Sequence, residues 1–326
     1  EAWFIEELEK PATLHLDSVL AQFPDDGRFY DESGNTLREL RPLPSVSFWS
    51  AAIEGDDQLR QRMAFALSQI LVISRQSTLG QYSHTIAAYM DILTRGAFGN
   101  FRDLLEEVTY SPAMSVYLTY LRNEKADPAT GRVPDENYAR EVMQLFSIGL
   151  VELNIDGTEK LDQGQQIPTY SQEIIEGFAH VYTGWTFAGA PSFRQARPTP
   201  FNQVVPMQLY PVFHDTGTKT LLRGEVLPAG QSGEQDLSDA LDNIFNHPNV
   251  GPFLAIRLIQ RLITSNPSPG YVQRVAEVFN NNGSGVRGDL GAVVKAILLD
   301  DEARPTMAME IDGKLKEPLL RLTQLW

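Results

Sequence analysis

Apolar residues recur along most of this chain at three- and four-residue intervals, the spacing of one helical face, and seldom in strict alternation. A helix starting at Asp56 or Asp57 would carry Met63, Leu67, Ile70 and Leu71 on its apolar side, and a second is expected over about 82–97. Asn100 is placed to cap a helix from Phe101, because its side-chain oxygen can accept an orphan amide of the first turn. Ser111-Pro112 reads as a cap followed by proline at the first helical position, where the missing N–H costs nothing. Pro134 opens another predicted helix over 135–149. After an irregular middle, the helical period returns over 237–245, 250–263, 269–279, 290–299 and 315–326. Asn282-Gly283 ends one of these and Gly288-Asp289 starts the next.

Two stretches break the pattern. Over 151–168, Asp156-Gly157 and Asp162-Gln163-Gly164 separate short β-prone pieces, which predicts a hairpin. Over 187–233 the chain is rich in Pro and Gly, with extended pieces at 203–205 and 220–222. A structureless loop of that length is unusual inside a compact domain, so this segment is expected to fold over and cover a site. The expected fold is mainly α: a multi-helix globular bundle with a small β-hairpin and a long irregular excursion. It is read as one domain over 1–326, divisible at most into lobes 1–150 and 169–326. The chain opens in mid-helix periodicity (Ala2, Trp3, Ile5, Leu8) and closes within another apolar period, which predicts a processed or partial form.

Composition narrows the function classes. Of 326 residues, 42% are hydrophobic and 21% charged, enough to bury a sizeable core. Lys plus Arg number 27 against 42 Asp plus Glu, a formal charge of −15. A field of that sign repels phosphate backbones and anionic lipid heads, so neither nucleic acid nor a membrane surface is an expected partner. The absence of cysteine excludes disulfides, thiolate nucleophiles, iron–sulfur clusters and Cys-ligated zinc. No run reaches the roughly 20 apolar residues of a membrane span, the best, 64–73, being broken by Ser68 and Gln69.

Three constellations could carry chemistry. In a helix starting near residue 135, Tyr138, Val142, Leu145 and Phe146 face the core, while Glu136, Arg140, Gln144 and Ser147 line the opposite arc with Glu141 at its edge. The functional reading is a carboxylate–guanidinium centre. Arg140 would grip an anionic group, Glu136 or Glu141 would act as base or metal ligand, and Asn137 would contact substrate. The bland reading is a solvated face with a Glu–Arg pair worth a few tenths of a kcal/mol. Glu173, Glu176 and His180 share one stripe of a helix from near Ser171 that buries Ile174, Phe178, Val181 and Trp185. They could hold a divalent metal, or form the wet side of an amphipathic helix, since no second histidine closes the set. His214 and Asp215 are binding candidates carried by the covering loop; the bland reading is a turn in which Asp215 bonds backbone amides. Asp-Thr-Gly at 215–217 matches the aspartic-protease tripeptide, but that chemistry needs two such aspartates on a β-rich fold. The 154–165 stretch misses the calcium-loop pattern at Gln165, and His15, His84 and His247 read as structural.

Several blocks together resemble a known family. They are Asn137-Tyr138-Ala139-Arg140-Glu141 running to Gly149, Thr183-Gly184-Trp185, Phe213-His214-Asp215, Asn246-His247-Pro248-Asn249-Val250, Arg257-Leu258, and Gly313-Lys314-Leu315-Lys316-Glu317-Pro318. In this order they resemble the bacterial family catalogued as domain of unknown function 1800. The resemblance implies an exported protein, periplasmic or extracellular, longer at both ends and encoded beside proteins of the phosphatase and sulfatase type. It carries no established reaction, and the cofactor stays unknown. It also implies that Arg140 and Glu141 do more than meet solvent, as a buried ion-pair network or as catalysts. Some branches carry a Trp-His-Asn-His stretch where this chain reads Leu67-Ser68-Gln69-Ile70, so no histidine-rich centre is expected. Two functions stay open: a non-catalytic binding or assembly partner of a phosphatase- or sulfatase-like neighbour, slightly preferred because no complete catalytic constellation assembles, or an exported enzyme acting on an anionic or polyhydroxy substrate.

Overall fold

Side-chain caps decide where many of the helices begin. The computed structural model describes residues 2–23, 37–199, 201–304 and 314–323. Its first half contains α1 (Ala2–Glu9), α2 (Leu16–Leu20), α3 (Leu43–Glu54), α4 (Gln58–Ser68), α5 (Ser83–Gly96), α6 (Phe101–Tyr110), α7 (Pro112–Tyr117) and α8 (Asn137–Gln144). The hairpin strands β1 (Leu161–Asp162) and β2 (Gln165–Gln166) follow, then α9 (Gln172–Val181). Just before the irregular excursion comes β3 (Trp185–Thr186), and the excursion carries β4 (Gln208–Leu209), β5 (Lys219–Thr220) and β6 (Val226–Leu227). Last come α10 (Gly233–Phe245), α11 (Val250–Leu262), α12 (Pro269–Asn280), α13 (Leu290–Leu299) and α14 (Pro318–Thr323). Asn100, Ser232, Ser268 and Asp289 each accept an amide of the first turn of α6, α10, α12 and α13.

The fold is mainly α, with the strands among the described residues confined to three two-stranded antiparallel ladders. One apolar cluster runs from Phe4 to Ile297 through the buried faces of the long helices. Within it α4 packs on α5, α5 on α6, α8 on α9, α10 on both α6 and α9, and α11 on α12 and α4. The expected hairpin is present: Leu161 pairs Gln166 and Asp162 pairs Gln165, and bridges from Val151 to Pro168 and Leu153 to Glu159 extend it. The excursion is tied down by two ladders, in which Trp185 pairs Leu209 and Lys219 pairs Leu227. Phe193 stacks on Phe213 with ring centres 4.2 Å apart. Among the described residues, no helix is long and apolar enough to cross a membrane.

Several boundaries differ from expectation for local reasons. The helix predicted over 135–149 is only Asn137–Gln144. Asp135 accepts the Asn137 amide at 2.8 Å, which delays the start past Pro134. At the other end the Phe146 and Ile148 amides reach back five residues, to Glu141 at 3.2 Å and Met143 at 2.9 Å, and Gly149 closes the turn at a φ of 74°. The widened turn shifts the side-chain phase, so Leu145 is 45% exposed while Ser147 is buried and bonds the Val142 carbonyl. The same correction applies at a smaller scale in α9, where Ile175 rather than Ile174 is fully buried. Helix α4 stops at Ser68, so Ile70 and Leu71 enter the core from the turn that follows. Helix α10 starts at Gly233, four residues before the predicted 237, because Ser232 caps it. The final helix is Pro318–Thr323, and residues 324–326 of the predicted segment lie outside the described residues.

Candidate functional site

Tyr138 anchors α8 to the molecule. Its hydroxyl bonds Thr109 at 2.7 Å, its ring stacks on Tyr120 at 4.2 Å, and Tyr182 meets it edge-on at 4.8 Å. With that face fixed, the polar arc of α8 turns toward the polar stripe of α9. Glu136 accepts the Arg140 guanidinium at 3.0 Å, one helical turn away. Gln172 then donates to both oxygens of Glu136, at 3.0 Å each, and reaches Glu176 at 3.4 Å. Two constellations read separately in the sequence are thus joined through Gln172, a residue the sequence reading passed over. Asn137 sits at the same helix start and donates to the Thr119 hydroxyl at 3.3 Å, and Thr119 bonds Asp135 at 3.0 Å. Thr119 holds a φ of 64°, a strained value for a β-branched residue.

Glu141 does not pair with Arg140. One of its carboxylate oxygens is buried without a hydrogen-bond partner among the described residues. Burial pushes its pKa up, and the nearby Arg140 charge opposes that shift. The Tyr170 hydroxyl is likewise buried and unpartnered, and burial raises its pKa as well. Glu173 stays exposed.

His214 and Asp215, adjacent in sequence, belong to different pairs. Asp215 turns outward to His180, with Oδ2 and Nδ1 2.8 Å apart, while its other oxygen accepts the Gly217 amide at 2.7 Å. The His180 hydrogen bond, working against burial, holds the Asp215 pKa down at about 2. His214 turns inward. Its Nε2 lies 2.9 Å from Asp236 and its Nδ1 3.0 Å from the Thr183 carbonyl. A Cβ on Gly184 would stand 2.9 Å from the His214 amide nitrogen, so only glycine lets the α9 terminus come this close. Lys219 completes the inner cluster, donating to Asp236 at 2.6 Å and to the carbonyls of Asp215 at 2.7 Å and Gly217 at 3.0 Å. Lys219 and Asp236 were missed in the sequence, where nothing distinguishes them from solvated charges. Thr183 and Gly184 were visible only inside a family block.

Every histidine closes on a group elsewhere in the chain: His15 on Ser47, His84 on Gln203, and His247 on the Asn249 amide with Glu152 beyond it. Burial pushes His84 and His247 down to about 4. Because His180 Nδ1 is turned to Asp215 and Glu173 points to solvent, the three α9 residues do not converge. No group of three or more His, Asp or Glu among the described residues is arranged to hold a metal ion. The cavity of about 310 Å³ between α3, α4 and α5, and the cleft of about 150 Å³ beside α2, α5 and α7, are lined by none of these candidates.

What the arrangement offers is a half-exposed band of carboxylates, one guanidinium and one imidazole, backed by a buried Lys–Asp–His tie. Fold and site together define a mainly helical protein in which Glu136, Arg140 and Gln172 join α8 to α9 and His180 meets Asp215. The chain belongs to the family described as protein of unknown function (DUF1800), which matches residues 1–326. No curated protein and no solved structure matches it.

Proposed function

We propose that this chain is a non-catalytic binding and assembly module that works outside the cytoplasm, in the periplasm or beyond the cell, with a phosphatase- or sulfatase-like protein as its partner. The compartment and the partner rest on the family resemblance. One observation supports the module reading: in a half-exposed band Glu136 is closed on Arg140 and Gln172, and His180 on Asp215. A general acid or base needs its working atom within about 3 Å of a reacting atom. Pre-paired charges on an open face instead present a fixed electrostatic pattern to another surface, which governs encounter rate and specificity. Asp135, Glu136, Glu173 and Glu176 outnumber Arg140 along this band, so it fits a basic rim on the partner. The test mixes the purified chain with the phosphatase-like protein, using light scattering for the complex and stopped flow at two ionic strengths for its rate. A complex is expected whose association slows with added salt and slows again in a Glu136→Lys, Glu176→Lys double variant. The absence of a complex, or an unchanged rate in that variant, rejects the proposal.

A second reading, an exported enzyme acting on an anionic or polyhydroxy substrate, is favoured by one feature. Glu141 has an unpartnered buried oxygen and a raised pKa, which are properties of a general acid, and Arg140 beside it could clamp an anion. On that reading Glu141→Gln abolishes turnover and leaves the thermal midpoint in place. A variant that merely unfolds would sink it.

A further inference from the structure

The cavity between α3, α4 and α5 carries chemistry of another kind. Its volume is about 310 Å³, and its walls are built mainly by Phe48, Trp49, Phe65, Ile86, Met90 and Leu93. Of the polar side chains that also line it, three donate within the chain, and His15 places its Nδ1 3.0 Å from the Ser47 hydroxyl. Ser68 bonds the Phe65 carbonyl at 2.8 Å, Thr94 the Met90 carbonyl at 2.9 Å, and Gln61 the Thr13 carbonyl at 2.9 Å. The walls therefore offer a ligand little beyond apolar contact. An apolar cavity of about half this size stays dry and takes up benzene, and ligand sites begin at roughly 300 Å³.

One guanidinium stands at this cavity. Arg75 lines the cavity yet is exposed, so it stands on the open side. Its guanidinium contacts the Ser45 hydroxyl and, at 2.7 Å, the Arg41 carbonyl, both neutral oxygens. No carboxylate pairs with it among the described residues, although the chain as a whole carries a formal charge of −15. A smaller pocket of about 60 Å³ shares Phe48, Gln61, Phe65 and Leu319 and lengthens the cavity toward Arg62. Arg62 at that end is half-buried and donates to the Arg261 carbonyl at 2.5 Å, so the exposed cation at the cavity is Arg75.

We infer that this cavity binds a small anionic amphiphile, with a hydrocarbon body against the aromatic and aliphatic walls and a carboxylate head on Arg75. A carboxylate there makes charge-assisted hydrogen bonds, and the closed hydroxyls of the walls leave no competing polar site for the tail. The inference is independent of the acidic band on α8 and α9.

The test titrates the intact chain with octanoate and with its uncharged counterpart, octanol, by calorimetry and tryptophan fluorescence. Trp49 lies in the wall, so Trp49→Phe identifies the part of the signal that comes from the site. Octanoate is expected to bind at one saturable site. Arg75→Gln, on an exposed residue, should weaken octanoate about tenfold, or about 1.4 kcal/mol, and leave octanol as it was. Ala64→Phe should fill the cavity and remove both ligands, and Ala64→Leu should weaken both if the larger side chain prevents folding. The inference is overturned if octanoate shows no saturable binding, if Arg75→Gln weakens octanol as much as octanoate, or if the folded filling variants bind as the parent does.

Discussion

Replacing Lys219 by methionine removes the cation against which Asp236 is buried. The Lys219 side chain is 1% exposed and that of Asp236 0%, and their charged atoms lie 2.6 Å apart. The second oxygen of Asp236 has no hydrogen-bond partner among the described residues, so one oxygen carries both the Lys219 and His214 contacts. Deleting one member of a buried pair leaves an uncompensated charge, a loss of about 3–5 kcal/mol in comparable sites. His214 remains 2.9 Å from the same oxygen and offsets part of this, which places the expected loss near the lower end. Lys219→Met also frees the Asp215 and Gly217 carbonyls, so the turn that presents Asp215 to His180 loosens. In the Lys219→Met, Asp236→Leu double variant the buried charge is gone. Its cost should fall short of the summed single costs by about 2 kcal/mol, the size of coupling seen for residues in one network. Urea unfolding followed by tryptophan fluorescence measures all four proteins, with the slope checked for constancy. A single variant within about 0.5 kcal/mol of the parent, the range of an ordinary surface change, or strictly additive losses would refute the argument.

Acid should destabilise the protein before most carboxylates titrate. His84 and His247, held at about 4 by burial, stay neutral in the folded state, while the unfolded chain takes up protons near about 6.5. Their stabilising effect is therefore complete above about pH 6.5, declines as the pH falls and levels off near pH 4, by about 3 kcal/mol for each. A thermal midpoint flat across that window, or one that falls as steeply in His247→Asn, would contradict the assignment. Gly177→Ala places a methyl group 2.0 Å from the Thr220 carbonyl oxygen, which must drive α9 off β5 at a cost of about 1–3 kcal/mol. Faster amide exchange at Leu221 and Leu222 would report the separation, and unchanged exchange would count against it. Arg140→Ala, by contrast, should cost only a few tenths of a kcal/mol, because its pair with Glu136 is an exposed one-turn contact. A loss above about 1 kcal/mol would restore the buried-network reading.

What could be read directly from the residues was local. Asn100 capping α6, Pro112 opening α7 and Asp289 capping α13 are interactions between neighbours in sequence, as is the Glu136–Arg140 pair. Such contacts depend on helical geometry alone, so spacing is enough to find them. The side-chain phase after Gln144 was not legible, because a widened turn moves Leu145 outward and Ser147 inward, and packing against the rest of the core selects that turn. Nor could the sequence show that His180 meets Asp215 across 35 positions, His214 meets Asp236 across 22, or Gln172 meets Glu136 across 36. Lys219 and Asp236 look like solvated charges until β5 and α10 are folded against the end of α9. Partners distant in sequence leave no period to detect: only the packed chain brings them within hydrogen-bond distance, and burial then makes those few contacts matter.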